Sequence, residues 1–389
     1  MTMQATRNLR SRPLVSLPLA GLVAWALAIA LLPVEPEEAF LILAPLVIVP
    51  LAMRLVDDDL DAPTIPARLL RAARRILFPA ALLLACGFAA PPGLAAAWTA
   101  APWLACTLLC AAAGAVRLCD PNRLRRPEQW TIDAGLALLA VGGVAALLAR
   151  WGVRLLDFSE GIILLTGVHF HYAGFALPVL TSRAIAARPG RLATWTAVAV
   201  VALVPLVGLG ITFSPLLELV AALGLVLACL AVAGLQFGAA DDCPAPLAWT
   251  LLVVSSLSLA AGMSVAAVYA VGEYRSTAGI DAGPKPIDIP AMVPLHGALN
   301  GIGFALCGLL AWNLAIEKDG QGASSRSRIA SRSARPVSPL MSRLMDQCVI
   351  GSRSVSSTPS SRPRSTETAP SPFPCTGSSR PSKKPSTRG

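Results

Sequence analysis

Charge is scarce in this sequence. Only 14% of its 389 residues are Asp, Glu, Lys or Arg, against 55% hydrophobic residues and a mean hydropathy of +0.64. A soluble domain of this length needs a far larger charged surface. Aromatic residues are also scarce, at 5%, and the basic residues flank apolar runs instead of alternating with polar aromatics. The net charge of +10 therefore points to membrane orientation and away from a nucleic-acid partner. The apolar runs show no apolar/polar alternation, which excludes the strands of a membrane barrel. A phosphate loop, a nucleophile elbow and a zinc-protease motif are all missing, so an enzymatic role is not favoured.

What remains is a set of continuous Ala-, Leu- and Val-rich stretches long enough to cross a bilayer. They predict an all-α, polytopic transmembrane helix bundle with about ten spans, near 14–32, 39–55, 76–90, 94–116, 132–148, 161–180, 194–213, 216–239, 247–271 and 292–316. Breaks at Pro91-Pro92-Gly93 and Ser214-Pro215 divide runs that would otherwise read as single helices. Lys and Arg alternate between connections: fifteen fall on one side of the ten spans, four on the other, and thirteen in the tail. By the positive-inside rule this places both termini in the cytoplasm of a bacterial cell whose inner membrane holds the protein. Residues 1–13 are then a cytoplasmic segment before an uncleaved signal anchor. Residues 14–316 form the membrane domain, and 317–389 a basic Ser/Pro/Arg tail that is either disordered or translated out of frame. The connection 272–291, rich in Gly, Pro and Asp, reads as a simple link between two helices.

All three histidines, His169, His171 and His296, fall inside these spans. Ionisable groups at such depth are costly unless paired or wetted, which makes them candidates for a substrate or proton pathway. Successive helical residues turn by about 100°, so His169 and His171 point to nearly opposite sides. His171 shares a stripe with Glu160, Gly167, Gly174 and Pro178; His169 lies with Thr166, Tyr172 and Ala173. In the last span His296, Asn300, Gly303 and Cys307 share one face, and Gly297 with Gly301 forms a GxxxG face beside it. Gly174, Gly297, Gly301 and Gly303 are expected to allow close helix packing. Asp133 and Glu218, about a turn inside their spans, are second-rank candidates. Cys106 and Cys110 share a helix face without a His or acid beside them and read as small core residues.

Two segments carry a resemblance. Gly167-Val168-His169-Phe170-His171-Tyr172-Ala173-Gly174-Phe175 resembles the HFHYAGF signature of YndJ-like bacterial membrane proteins, and His296-Gly297 with Asn300, Gly303 and Phe304 resembles their HGxxNxxGF segment. The resemblance implies an integral membrane protein of uncharacterised or transport function, some relatives of which carry a folded soluble extension after the last helix. Three readings follow. The first is a transporter or permease for a small solute or ion, with His169, His171, Tyr172, His296, Asn300 and Glu160 at a polar cavity. The second is an intramembrane metal or haem site on the three histidines, although the sequence identifies no cofactor. The third is a structural or assembly role in which the histidines only bond helices together.

Overall fold

The computed structural model describes residues 16–56, 60–156, 158–243, 245–280 and 286–316. The expected N-terminal segment 1–13 and the tail 317–389 lie outside the described residues. Among those residues there is no strand and there are ten long helices: α1 (Ser16–Leu31), α2 (Pro36–Leu55), α3 (Ile65–Gly87), α4 (Leu94–Leu118), α5 (Pro127–Trp151), α6 (Glu160–Ala187), α7 (Arg191–Phe213), α8 (Pro215–Ala240), α9 (Pro246–Thr277) and α10 (Ile289–Ile316). A single helical turn, Pro121–Leu124, joins α4 to α5. Eight of the ten, α2 and α4 to α10, are long and apolar enough to cross a membrane. The described part of α1 has 16 residues, and α3 carries Arg68, Arg71, Arg74 and Arg75 in its first half.

Local chemistry sets the helix starts. Thr64, Ser159, Ser214 and Asp288 each accept a hydrogen bond from a backbone N–H of the first turn, which satisfies one of the donors a helix leaves open. Ser214 ends α7 and caps α8 at once, so the Ser214-Pro215 break is a real one. Gly152 closes α5 in the left-handed conformation, at φ 74°, where a side chain would be strained. The α3 helix begins eleven residues before the span expected at 76–90, because its arginine-rich turns find partners in neighbouring backbone.

Those partners belong mainly to α2, the most enclosed helix. Of its apolar window 78% is buried, against 28–56% for the other seven. Burial leaves the carbonyls at its C-terminal end without water, and side chains replace it. Arg74 Nη2 donates to Met53 O at 2.8 Å, Asn313 Nδ2 to Leu51 O at 3.2 Å, and Arg183 to Leu55 O. Guanidinium groups suit this position, since they supply several donors and a charge that complements the helix C-terminus. The same device recurs elsewhere. Arg150, 4% exposed, donates to Gly87 O and Ala90 O beyond the end of α3 and lies over the Phe88 ring; Arg188 reaches Gly238 O at the end of α8. The fully buried Asp133 carboxylate on α5 meets Arg117 at 2.7 Å and Arg123 at 2.7 Å.

Three helices widen into π-helical turns: α2 at Ala44–Ile48, α6 at Tyr172–Ala176 and α10 at Ala298–Leu306. In α2 and α6 the turn ends two residues before a proline, Pro50 and Pro178. Proline supplies no N–H and crowds the carbonyl four residues earlier, so a wider turn relieves the ladder there. The three π-helical segments pack pairwise against one another.

Removing the Asp133 carboxylate isolates the charge of buried Arg117. Asp133→Ala is expected to cost about 3–5 kcal/mol, the range for breaking a buried pair. The check is the unfolding midpoint of the detergent-purified protein. Arg123→Ala, at a site 21% exposed, should lower it less.

Candidate functional site

The α6 helix carries its two histidines to two different neighbours. His171 is fully buried and faces α4 and α5. Its Nδ1 lies 2.6 Å from Gly167 O, a carbonyl that only accepts, so Nδ1 carries the hydrogen. Nε2 is then the acceptor and receives the Trp103 Nε1–H at 2.9 Å. The two rings stack with centroids 5.7 Å apart. Gly142 makes room for this imidazole, since a Cβ there would stand 2.8 Å from Nδ1. Both nitrogens of His171 are thus satisfied in dry packing.

His169 and Tyr172 turn to the other side, toward α2 and α10. Tyr172 OH donates to Phe40 O on α2 at 3.1 Å. The Phe40 ring fills the space left by Gly297 and Gly301, where added Cβ atoms would meet it at 2.7 and 3.2 Å. The GxxxG face of α10 is therefore a seat for an aromatic ring as well as a helix contact. The imidazoles of His169 and His296 are within electrostatic range of each other. His169 Nε2 is buried and has no hydrogen-bond partner.

On α10, His296 Nδ1 lies 2.9 Å from Gly262 O of α9, so it too carries its hydrogen on Nδ1. Asn300 Nδ2 donates to His296 O at 3.1 Å and stands 3.0 Å from Nδ1 and 3.3 Å from Nε2 of the same imidazole. Gly262 is required beneath the amide, because a Cβ there would lie 2.9 Å from Asn300 Cγ. Asn300 Oδ1 is left buried without a donor. Arg150 Nε and the Thr181 and Thr196 hydroxyls are also buried without a hydrogen-bond partner. The Asn300 amide contacts the His296 imidazole, and the His169 imidazole lies within electrostatic range of it.

The remaining expected residues are placed as follows. Glu160 sits on the exposed first turn of α6 in an ion pair with Arg154 at 2.9 Å, each side chain 63% exposed. It is eleven residues, about 16 Å of helix, from His171. Gly303 packs on Ser258 of α9, and Gly174 on Phe170 and Leu138. Among the described residues no group of three or more His, Cys, Asp or Glu side chains is arranged to hold a metal ion. Trp103, Phe40 and Gly262 were not foreseen: two are ordinary members of apolar runs and the third acts through its backbone.

A protein-family model described as YndJ-like protein matches residues 39–304. A relative in Bacillus subtilis (strain 168), the "Uncharacterized membrane protein YndJ", is 29% identical over 213 residues, which is 54% of this chain and 37% of that protein. The chain thus aligns with well under half of the relative's length. No solved structure matches.

His171 and Trp103 form one buried unit, so their substitutions should not add. His171→Ala is expected to destabilise by about 2–4 kcal/mol, through the cavity and the orphaned indole N–H. Trp103→Phe in that background should cost less than in the wild type. A double-mutant cycle of unfolding midpoints reads the difference.

Proposed function

The chain belongs to the YndJ-like family of membrane proteins, and on that basis we propose that it is a transporter or permease whose intramembrane site is built by His169, His296 and Asn300. The observation that carries this reading is the pair of buried atoms without protein partners, His169 Nε2 and Asn300 Oδ1, on two helices that share the histidine His296. A buried polar atom left unpaired costs about 1–3 kcal/mol, so each of the two favours a ligand group or water that supplies what is missing. Asn300 Oδ1 calls for a donor, and His169 Nε2 takes either role. The fitting occupant is a small polar solute bearing both a donor and an acceptor, or water ordered in its place.

Position supports the same reading. His169 lies nine residues into α6 and His296 seven into α10, similar depths in helices that start on one side in the proposed topology. The π-helical turns begin at Tyr172 and Ala298, directly beyond these residues, and such turns recur at functional sites. His171 holds α6 against α4, while Tyr172 ties the same stretch to α2. We place the protein in the bacterial inner membrane with ten crossings and both termini in the cytoplasm, since the arginine alternation requires an even number.

Function and stability are expected to separate here. His169→Phe removes an unpaired atom, so the unfolding midpoint should hold or rise, while solute uptake into proteoliposomes is lost. A midpoint that falls as far as that of His171→Ala, with uptake intact, would make the histidines interhelical bonds only. The topology has its own check. Cys119, exposed at the end of α4, should react with a membrane-impermeant maleimide only after cells are opened, whereas Ser276→Cys should react in intact cells.

A further inference from the structure

The arginines at the cytoplasmic helix ends of the proposed topology divide into two sets. Arg74, Arg117, Arg123, Arg183 and Arg188 hold backbone carbonyls or carboxylates. Arg54, Arg68 and Arg75 are exposed, as are Arg125, Arg126 and Arg191, and their guanidiniums have no partner among the described residues. Of these, Arg125, Arg126 and Arg191 stand at helix starts that pack together. Arg125 and Arg126 directly precede α5, and Arg191 opens α7. Ser182 Oγ donates to Glu128 O at 2.6 Å, which ties the end of α6 to the first turn of α5. Trp130 of α5 packs on a cluster formed by Ile185, Ala193 and Ala197, which brings the first turns of α5 and α7 side by side. The acids near the patch are Glu128, Asp120, which caps the turn Pro121–Leu124, and Asp242, which is paired with Arg188.

Apolar side chains flank the same patch. Leu124 is 52% exposed, Leu192 61% and Trp195 69%. In a membrane protein, leucine and tryptophan beside unpaired arginines at a helix end match the boundary between headgroups and acyl chains. We propose that Arg125, Arg126 and Arg191 hold the phosphate of an anionic glycerophospholipid whose acyl chains lie against Leu192 and Trp195. The occupant is a lipid and not a free phosphate, because the apolar residues require chains to cover them and the patch sits where headgroups sit.

The full-length protein in a neutral detergent tests this. Phosphatidylglycerol should raise the unfolding midpoint saturably, while phosphatidylcholine of the same chains and inorganic phosphate at equal concentration should not. Arg126→Gln/Arg191→Gln should weaken phosphatidylglycerol binding about thirtyfold, on the scale of a roughly fivefold step per arginine at an anionic surface. Both side chains are exposed and unbonded, so the lipid-free midpoint should not change. The charge-matched control Arg68→Gln/Arg75→Gln removes two other exposed arginines and should leave binding intact. Equal losses in the two double variants would reduce the effect to diffuse charge and overturn the proposal. A shift by inorganic phosphate alone, or none by phosphatidylglycerol, would overturn it as well.

Discussion

In a bilayer core no water completes a hydrogen bond, and this single constraint organises the chain. A helix satisfies its own backbone except at its ends and wherever its ladder opens. The enclosed helix α2 poses the problem most sharply, because its C-terminal carbonyls lie inside protein. Arg74, Arg183 and Asn313 come from three other helices to meet them. Arg74 and Arg183 thereby tie α3 and α6 to the end of α2, and Asn313 does the same for α10.

Against a fold that satisfies its buried groups this thoroughly, an unsatisfied pair carries information. His171, Gln236 and Ser255 all show what a structural polar residue looks like in this protein. His171 uses both nitrogens, and Gln236 donates to Ser255, which in turn donates to Phe304 O within the π-helical stretch of α10. His169 and Asn300 lack that completeness at one atom each. His169 lies on the side of α6 that meets α2 and α10, while the Asn300 amide lies against Gly262 of α9.

How far this was legible in the sequence depends on the distance over which each interaction acts. Helix existence and the breaks at Pro91-Pro92-Gly93 and Ser214-Pro215 are local, and hydropathy with turn chemistry revealed them. The opposite facing of His169 and His171 followed from helix geometry alone, and so did the shared face of His296 and Asn300. Which histidine faced which neighbour did not follow. Trp103 is 68 residues from His171, and Gly262 is 34 from His296; neither has a motif that names its partner. The reach of α3 toward its N-terminus was hidden for the opposite reason, since arginines look like loop residues until buried carbonyls are found for them. Glu160 shared a stripe with His171, but the stripe ends at an exposed turn where Arg154 is the nearer partner.

The i, i+2 spacing of the two α6 histidines is best understood as a division of labour. A site that leaves polar atoms unpaired can hold its geometry only if the helix bearing it is fixed by other contacts. His171 supplies one such contact: its tautomer is set by Gly167 O, its other nitrogen is held by Trp103, and a glycine on α5 lets the ring in. That contact sets the rotation of α6, and rotation determines where a residue two positions earlier points. With α6 fixed on the α4 side by His171 and on the α2 side by Tyr172, His169 faces α2 and α10 without spending a hydrogen bond of its own on packing. The family match, from residue 39 in α2 to residue 304 in the π-helical stretch of α10, encloses every element of this arrangement.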